Sequence, residues 1–227
     1  MPTLDWLKKE FHYGYDSGNV LDFFPDKQRK SEEKVIGGSY RKVFYDSIGK
    51  YLNPESKVLE LGPGKGSWTR AILKYIPNGE LTTVDFQDLE KFLQPEKYNR
   101  RLKCIQIQDN TFMELPNDYF DVFWSFGVLC HNNQENIEII LRNALPKVKQ
   151  NGYAIHQYAD WEKLEKFGWG EKSNIPVEFQ SKPDNEIWWP RNTKKDMQRI
   201  ASASGWKVIS IDLELVERDS ICVLQKG

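Results

Sequence analysis

A carboxylate, Glu60, stands two residues ahead of three glycines at alternate positions, Gly62, Gly64 and Gly66. Glycine lets a backbone run close beneath a ligand with no Cβ in the way. A helix starting at once behind such a turn offers unpaired N–H groups and a partial positive charge. Spacing decides what binds there. A phosphate-gripping loop requires Gly, four residues, then Gly-Lys-Ser/Thr, and a dinucleotide turn places its third glycine at that same fifth step. Here that position is Ser67, and the third glycine comes one residue early, at Gly66. Both phosphate readings fail, and E-x-G-x-G-x-G remains.

The elements around the turn suit it. Lys57 to Leu61 reads as a short apolar strand, and Trp68, Ala71, Ile72, Tyr75 and Ile76 repeat with helical spacing behind the glycines. A second strand, Leu81 to Asp85, ends in a carboxylate nineteen residues past Gly66. An acid at that offset meets ribose hydroxyls in dinucleotide folds, because a carboxylate can accept from both vicinal donors.

The run from Glu60 to Gly66, with Asp85 in register behind it, resembles the first motifs of the class I S-adenosylmethionine-dependent methyltransferases. The resemblance covers roughly residues 40–227. It implies S-adenosyl-L-methionine as cofactor, whose ammonium and sulfonium groups favour a nearby carboxylate where pyrophosphate would be repelled. It also implies that Glu60, Gly62, Pro63, Gly64 and Gly66 cradle the cofactor, with Asp85 on the ribose and Phe86 against the adenine. Asp109 and Asn110 after the third strand correspond to the adenine-amino position, and Ser125 and Phe126 close the fourth strand beside the methyl group.

The rest of the chain agrees with a doubly wound α/β fold. A third strand runs from Leu102 to Gln108, and Tyr119 to Leu129 is nearly continuous apolar, as in the middle of a parallel sheet. A helix carries Ile137, Ile140, Leu141, Ala144 and Leu145 inward, and a fifth strand follows from Tyr153 to Tyr158. A helix over about 193–204 and two strands, Trp206 to Leu213 and Ile221 to Gln225, complete a mostly parallel seven-stranded sheet. In the family it resembles, the last strand inserts antiparallel. A polar helix is expected over about 87–97. Ahead of the sheet, helices are expected from Ser31, with Glu32 and Glu33 at its positive end, and from Ser39.

Two stretches fall outside this rhythm. Residues 1–30 are irregular and ring-rich (Trp6, Phe11, Tyr13, Tyr15, Phe23, Phe24), which reads as an arm lying across the domain. Residues 161–191 hold Trp161, Trp169, Trp188 and Trp189 with little periodicity. So long a loop inside a compact domain is usually functional, and its aromatic content argues against disorder. It is expected to be a substrate lid within a single domain, 1–227, its rings either stacking on a polyhydroxylated acceptor such as a sugar or packing on one another.

The end of the fourth strand reads Ser125-Phe126-Gly127-Val128, without the Pro-Pro of amino-group methylases of adenine, cytosine and glutamine. This points away from that class and toward a hydroxyl of a small acceptor, whose proton must be removed. His131 and His156, at the ends of strands four and five, are the candidate bases, with Asp160 as base or orienter. A core role for His156 and a capping-loop role for His131 compete with that chemistry. N-methylation of a small amine and a non-catalytic scaffold are the alternatives.

At 227 residues with a formal charge of −1, the chain has no basic field for a nucleic-acid backbone. Three separated cysteines form no metal-type cluster, and no metal is expected. No segment approaches the length of a membrane span, so a cytoplasmic protein acting on a small molecule is expected. The sequence gives no signature of oligomeric state.

Overall fold

A computed structural model describes residues 16–227. The rings expected at Trp6, Phe11, Tyr13 and Tyr15 lie outside the described residues. Seven strands form one sheet: β1 (Lys57–Leu61), β2 (Glu80–Asp85), β3 (Leu102–Gln106), β4 (Phe120–Ser125), β5 (Val148–Tyr158), β6 (Trp206–Ser210) and β7 (Ser220–Lys226). Their order is β3-β2-β1-β4-β5-β7-β6. Strands β1 to β5 run parallel, and β7 is antiparallel to both its neighbours. The order reverses between β1 and β4, the switch point where open α/β sheets bind ligands. The expected doubly wound, mostly parallel seven-stranded sheet is the fold found.

Alternation along the strands builds two cores. Val58, Trp124, Ile155 and Val223 face helices α1 (Lys27–Ile36), α2 (Tyr40–Asp46) and α3 (Ser67–Tyr75). Leu59, Phe123, Ala154 and Leu224 face α5 (Gln134–Ala144) and α7 (Lys194–Ala203). Both Glu60 and Trp124 are on the first face, so the chemistry at the β1 end shares a side with α1 to α3.

Several boundaries differ from the sequence expectation. Helix α1 begins at Lys27, because the Asp26 carboxylate caps it by accepting from the Arg29 N–H at 2.8 Å. Glu32 is therefore mid-helix, not at the positive end. Gly37, left-handed at φ 70°, ends α1, and the Ile36 carbonyl accepts from the backbone N–H groups of Glu217 and Arg218. This docks α1 on the β6–β7 connection. The polar helix expected over 87–97 is only one turn, α4 (Glu90–Leu93), followed by a 3₁₀ turn opened by Pro95.

The 161–191 stretch is not loop throughout. It begins with α6 (Trp161–Phe167), capped by Asp160, whose Oδ1 accepts from the Glu162 and Lys163 N–H groups. Leu164, Ile175, Phe179, Ile187 and Trp189 form a third small core, with Trp161, Trp169 and Trp188 packed against it. The tryptophans thus pack on one another. The two ends of the segment meet, since the Trp161 N–H donates to the Asn192 carbonyl at 3.0 Å.

A buried polar chain fastens that segment to the sheet. The Gly127 N–H donates to Gln157 Oε1 at 2.8 Å, and Gln157 Nε2 donates to Asp219 Oδ2 at 2.7 Å. Arg218 grips Asp219 through Nε and Nη2, and its Nη1 donates to the Ser173 carbonyl at 2.9 Å. Its guanidinium lies 4.6 Å from the centre of the Trp189 ring. Removing one member of such a pair strands the other charge away from water. Asp219→Ala is expected to destabilise the fold by about 3–5 kcal/mol, read as a lowered urea midpoint.

Candidate functional site

The glycine turn is held against β4 by close packing. Gly62 has φ +67°, and a Cβ there would lie 2.4 Å from Val128 Cγ2. Gly64 and Gly66 are also left-handed, at φ 54° and 85°, a region that penalises other residues. A Cβ on Gly66, the N-cap of α3, would meet Leu93 Cδ2 at 2.7 Å. Two tight contacts and three left-handed positions therefore keep Gly62, Gly64 and Gly66 as glycines at the switch point.

Glu60 sits behind the turn, buried, with its Oε2 accepting from Thr69 Oγ1 at 2.7 Å. Burial raises its carboxyl to about 7, against opposing help from the Thr69 hydroxyl and Arg70. A carboxylate so placed favours a cationic group. Asp85, half-buried at the β2 end, is pushed up to about 6 by burial, partly offset by N–H groups of Gln87 and Phe86. Beside it opens a cavity of about 250 Å³ lined by Thr83, Asp85, Asp88, Glu90 and Cys104 among others. Three carboxylates on that wall suit a neutral, hydroxyl-bearing nucleoside and oppose a phosphate.

The remaining cofactor candidates divide. Pro63 lies in the turn, and Phe86 follows Asp85, half-buried. Ser125 ends β4, pairing with Leu61 of β1 on one side and His156 of β5 on the other, and Phe126 follows directly after the strand. Asp109 is exposed, its Oδ1 accepting from the Thr111 N–H and hydroxyl, and these bonds lower its pKa. The Asn110 carbonyl accepts from Asn143 Nδ2, which fixes this loop on α5.

The three catalytic candidates are not brought together at the surface. His156 is wholly buried on the α5/α7 face, hydrogen-bonded through Nδ1 to Ser125 Oγ at 2.8 Å, with its ring 4.5 Å from Phe123. Its Nε2 has no hydrogen-bond partner among the described residues, and burial lowers its pKa to about 3. Of the two readings of His156, this geometry favours the hydrogen-bonded core residue over the base. Asp160 is equally buried, committed to capping α6 and to the Ser220 hydroxyl at 2.6 Å. Both of its oxygens are thereby engaged, and no hydrogen bond joins it to His156 among the described residues. His131 is half-buried just after β4. Its Nδ1 donates to the Trp188 carbonyl at 2.8 Å, which leaves the lone pair on Nε2. Burial lowers it to about 4, and Trp188 and Trp189 flank the ring.

The sequence profile of the methyltransferase-domain family matches residues 36–211. This chain belongs to that family. Its cofactor is S-adenosylmethionine, and the bare turn, the buried Glu60 and the acid-lined cavity at Asp85 are a fitting receptacle for it. The chain is 23% identical over 196 residues to highly reducing polyketide synthase 40 of Fusarium mangiferae, covering 80% of this chain and 8% of that protein. It therefore spans a small part of that relative's length. A SAM-dependent methyltransferase of Aquifex aeolicus superposes with a TM-score of 0.63 at 16% identity, over 89% of this chain and 94% of the other. The PH0226 protein of Pyrococcus horikoshii OT3 gives 0.65 at 14% identity, over 96% and 99%. At such identities the likeness is one of fold. Among the described residues no helix is long and apolar enough to cross a membrane, and no group of three or more His, Cys, Asp or Glu is placed to hold a metal.

Sequence reasoning did not anticipate the contacts that Ser17 makes with Ser67 and Glu32 beside the glycine turn. Ser17 N donates to Ser67 Oγ at 2.9 Å and Ser17 Oγ donates to Glu32 Oε2 at 2.5 Å, which fastens the start of α3 to α1. These contacts leave no motif, because they join helices of separate origin.

The raised carboxyl of Glu60 carries a sign. Its folded pKa near 7 exceeds the ordinary 4.5, so the stability of its protonated form is complete below 4.5 and is lost as pH rises through 7. Without cofactor, thermal stability is expected to fall across that window, and Glu60→Gln is expected to flatten the fall. Binding a cation reverses the preference: affinity for S-adenosylhomocysteine by calorimetry should rise about tenfold from about pH 6 to about pH 8.

Proposed function

We propose that the chain is an O-methyltransferase acting on a hydroxyl of a small acceptor, of which a sugar or another polyhydroxylated molecule is one kind. S-adenosylmethionine supplies an electrophilic methyl on a sulfonium; the protein positions the nucleophile in line and excludes water. One observation carries the reading. His131 follows β4 with its Nδ1–H spent on the Trp188 carbonyl, so its Nε2 is the proton acceptor, and burial keeps the ring neutral.

A base of such low basicity accepts a proton best from a hydroxyl already made acidic or one whose proton leaves as the methyl arrives. The absence of a Pro-Pro pair after Ser125 supports oxygen over an exocyclic amine as the acceptor. The tryptophans of the 161–191 segment support the lid reading through position, covering His131, rather than through free stacking faces.

Incubating the protein with methyl-labelled cofactor and a panel of phenols, enols, sugars and amines, then locating the label by NMR, tests this. Label on oxygen is expected. His131→Ala should lower turnover about 100-fold or more while leaving the Kd of S-adenosylhomocysteine unchanged. Because His131 titrates near 4, turnover should show no loss attributable to this group between about pH 6 and about pH 9. Methyl found on nitrogen, or an unimpaired His131→Ala, would overturn the reading.

A further inference from the structure

The loop ahead of α1 holds two phenyl rings in water. Phe23 and Phe24 are 72% and 83% exposed and meet edge to face at 4.9 Å. The loop beneath them is firmly tied. Buried Arg29 donates through Nη1 to the Asn19 carbonyl at 2.9 Å and through Nη2 to the Asp22 carbonyl at 2.8 Å. Arg41 Nε adds a bond to the Leu21 carbonyl at 3.2 Å. Two guanidinium groups therefore fix the base of the loop while its apolar tip stands out, the arrangement of a contact surface organised in advance.

Beside the tip lies a cavity of about 370 Å³, lined by Phe23, Arg41, Lys42 and Tyr45 among others. That volume is in the range of sites that take a small molecule, so it has room for a phenyl ring. Its unspent charge is positive. The two acids on its wall are already engaged, Glu33 with Arg29 at 3.3 Å and Asp46 with Lys50 at 3.8 Å. Arg41 lies over the rings of Phe23 and Tyr45, at 5.5 Å and 5.2 Å from their centres. Neither it nor the exposed Lys42 forms an ion pair among the described residues. The tip has the opposite sign: Phe23 and Phe24 sit between Asp22 and Asp26, and the exposed Asp22 carboxylate is in no described ion pair either.

A knob and a socket of opposite charge, side by side on one face, satisfy a two-fold interface, because each copy offers the other both halves. We propose that this face joins two copies of the chain, with Phe24 of each filling the cavity of the other and Asp22 of each meeting Lys42 and Arg41 across the axis. The occupant is a second copy because the complement of the cavity, an acid-flanked phenyl ring, is carried on the same face. Tyr45 lies 6.3 Å from Tyr75, centre to centre, which sets the socket at the far end of α3 from the glycine turn. Pairing therefore leaves cofactor binding as it is, and the proposal is independent of the acceptor.

Sedimentation velocity on the full chain, from about 1 to about 100 µM, tests it. A monomer–dimer equilibrium that closes at two is expected. Phe24→Asp should raise its dissociation constant about 100-fold or more, because the ring is lost twice in each dimer. Asp22→Lys and Lys42→Asp should each raise it about tenfold, and the two combined should return it to within about threefold of wild type. Each variant should keep the wild-type circular dichroism and the wild-type Kd for S-adenosylhomocysteine. A chain monomeric throughout, a dimer that Phe24→Asp leaves intact, assembly beyond two copies, or a double variant no tighter than the single ones overturns the pairing.

Discussion

The space between Gly62 and Val128 governs this molecule. Strands β1 and β4 are hydrogen-bonded neighbours, and the chain leaving each must turn without colliding with the other. The 2.4 Å that a Cβ on Gly62 would leave to Val128 Cγ2 is far inside van der Waals contact. Only bare backbone fits. That constraint brings the glycine turn, Phe126 and the Gly127 N–H to one edge, and the three layers of contact around it inherit their positions from it. Glu60 lies beneath, the packed rings of Trp68 and Phe126 lie beside, and the Gln157–Asp219–Arg218 chain runs behind toward the outer segment.

Electrostatics divide the site by polarity. Glu60 and Asp85 both sit where removal from water raises their pKa, which stores a preference for cations and hydroxyl donors. The histidines experience the same desolvation with the opposite charge consequence: both are held neutral. On the proposed reading the site presents acceptors to the cofactor and an unprotonated imidazole to what lies beyond it, and among the described residues no cationic side chain is hydrogen-bonded to the Glu60 carboxylate.

Much of this was legible in the chain itself. The strand, turn and helix from Lys57 to Tyr75 declare themselves because apolar period, glycine and carboxylate all fall within one local run. The antiparallel β7 followed from the family resemblance. What escaped is non-local or depends on who caps what. Asp26, not Ser31, starts α1, since a carboxylate that reaches the third N–H outranks a weak periodic signal. His156 reads identically as base or core residue until the α5/α7 face closes over it. Arg218 and Asp219 are adjacent charges near the end of the chain, a pattern indistinguishable from a solvated surface until Gln157, Ser173 and Trp189 surround them.

The bond between the Trp161 N–H and the Asn192 carbonyl brings the two stems of the outer segment to within one hydrogen bond of each other. A stretch whose stems already meet, and whose interior has its own apolar nucleus, imposes almost no strain on the scaffold that bears it, and chain added within it raises the closure cost only logarithmically. Length can therefore be added within it at small cost, provided that Ser173 and Trp189, which hold Arg218, and the Trp188 carbonyl, which holds His131, are kept.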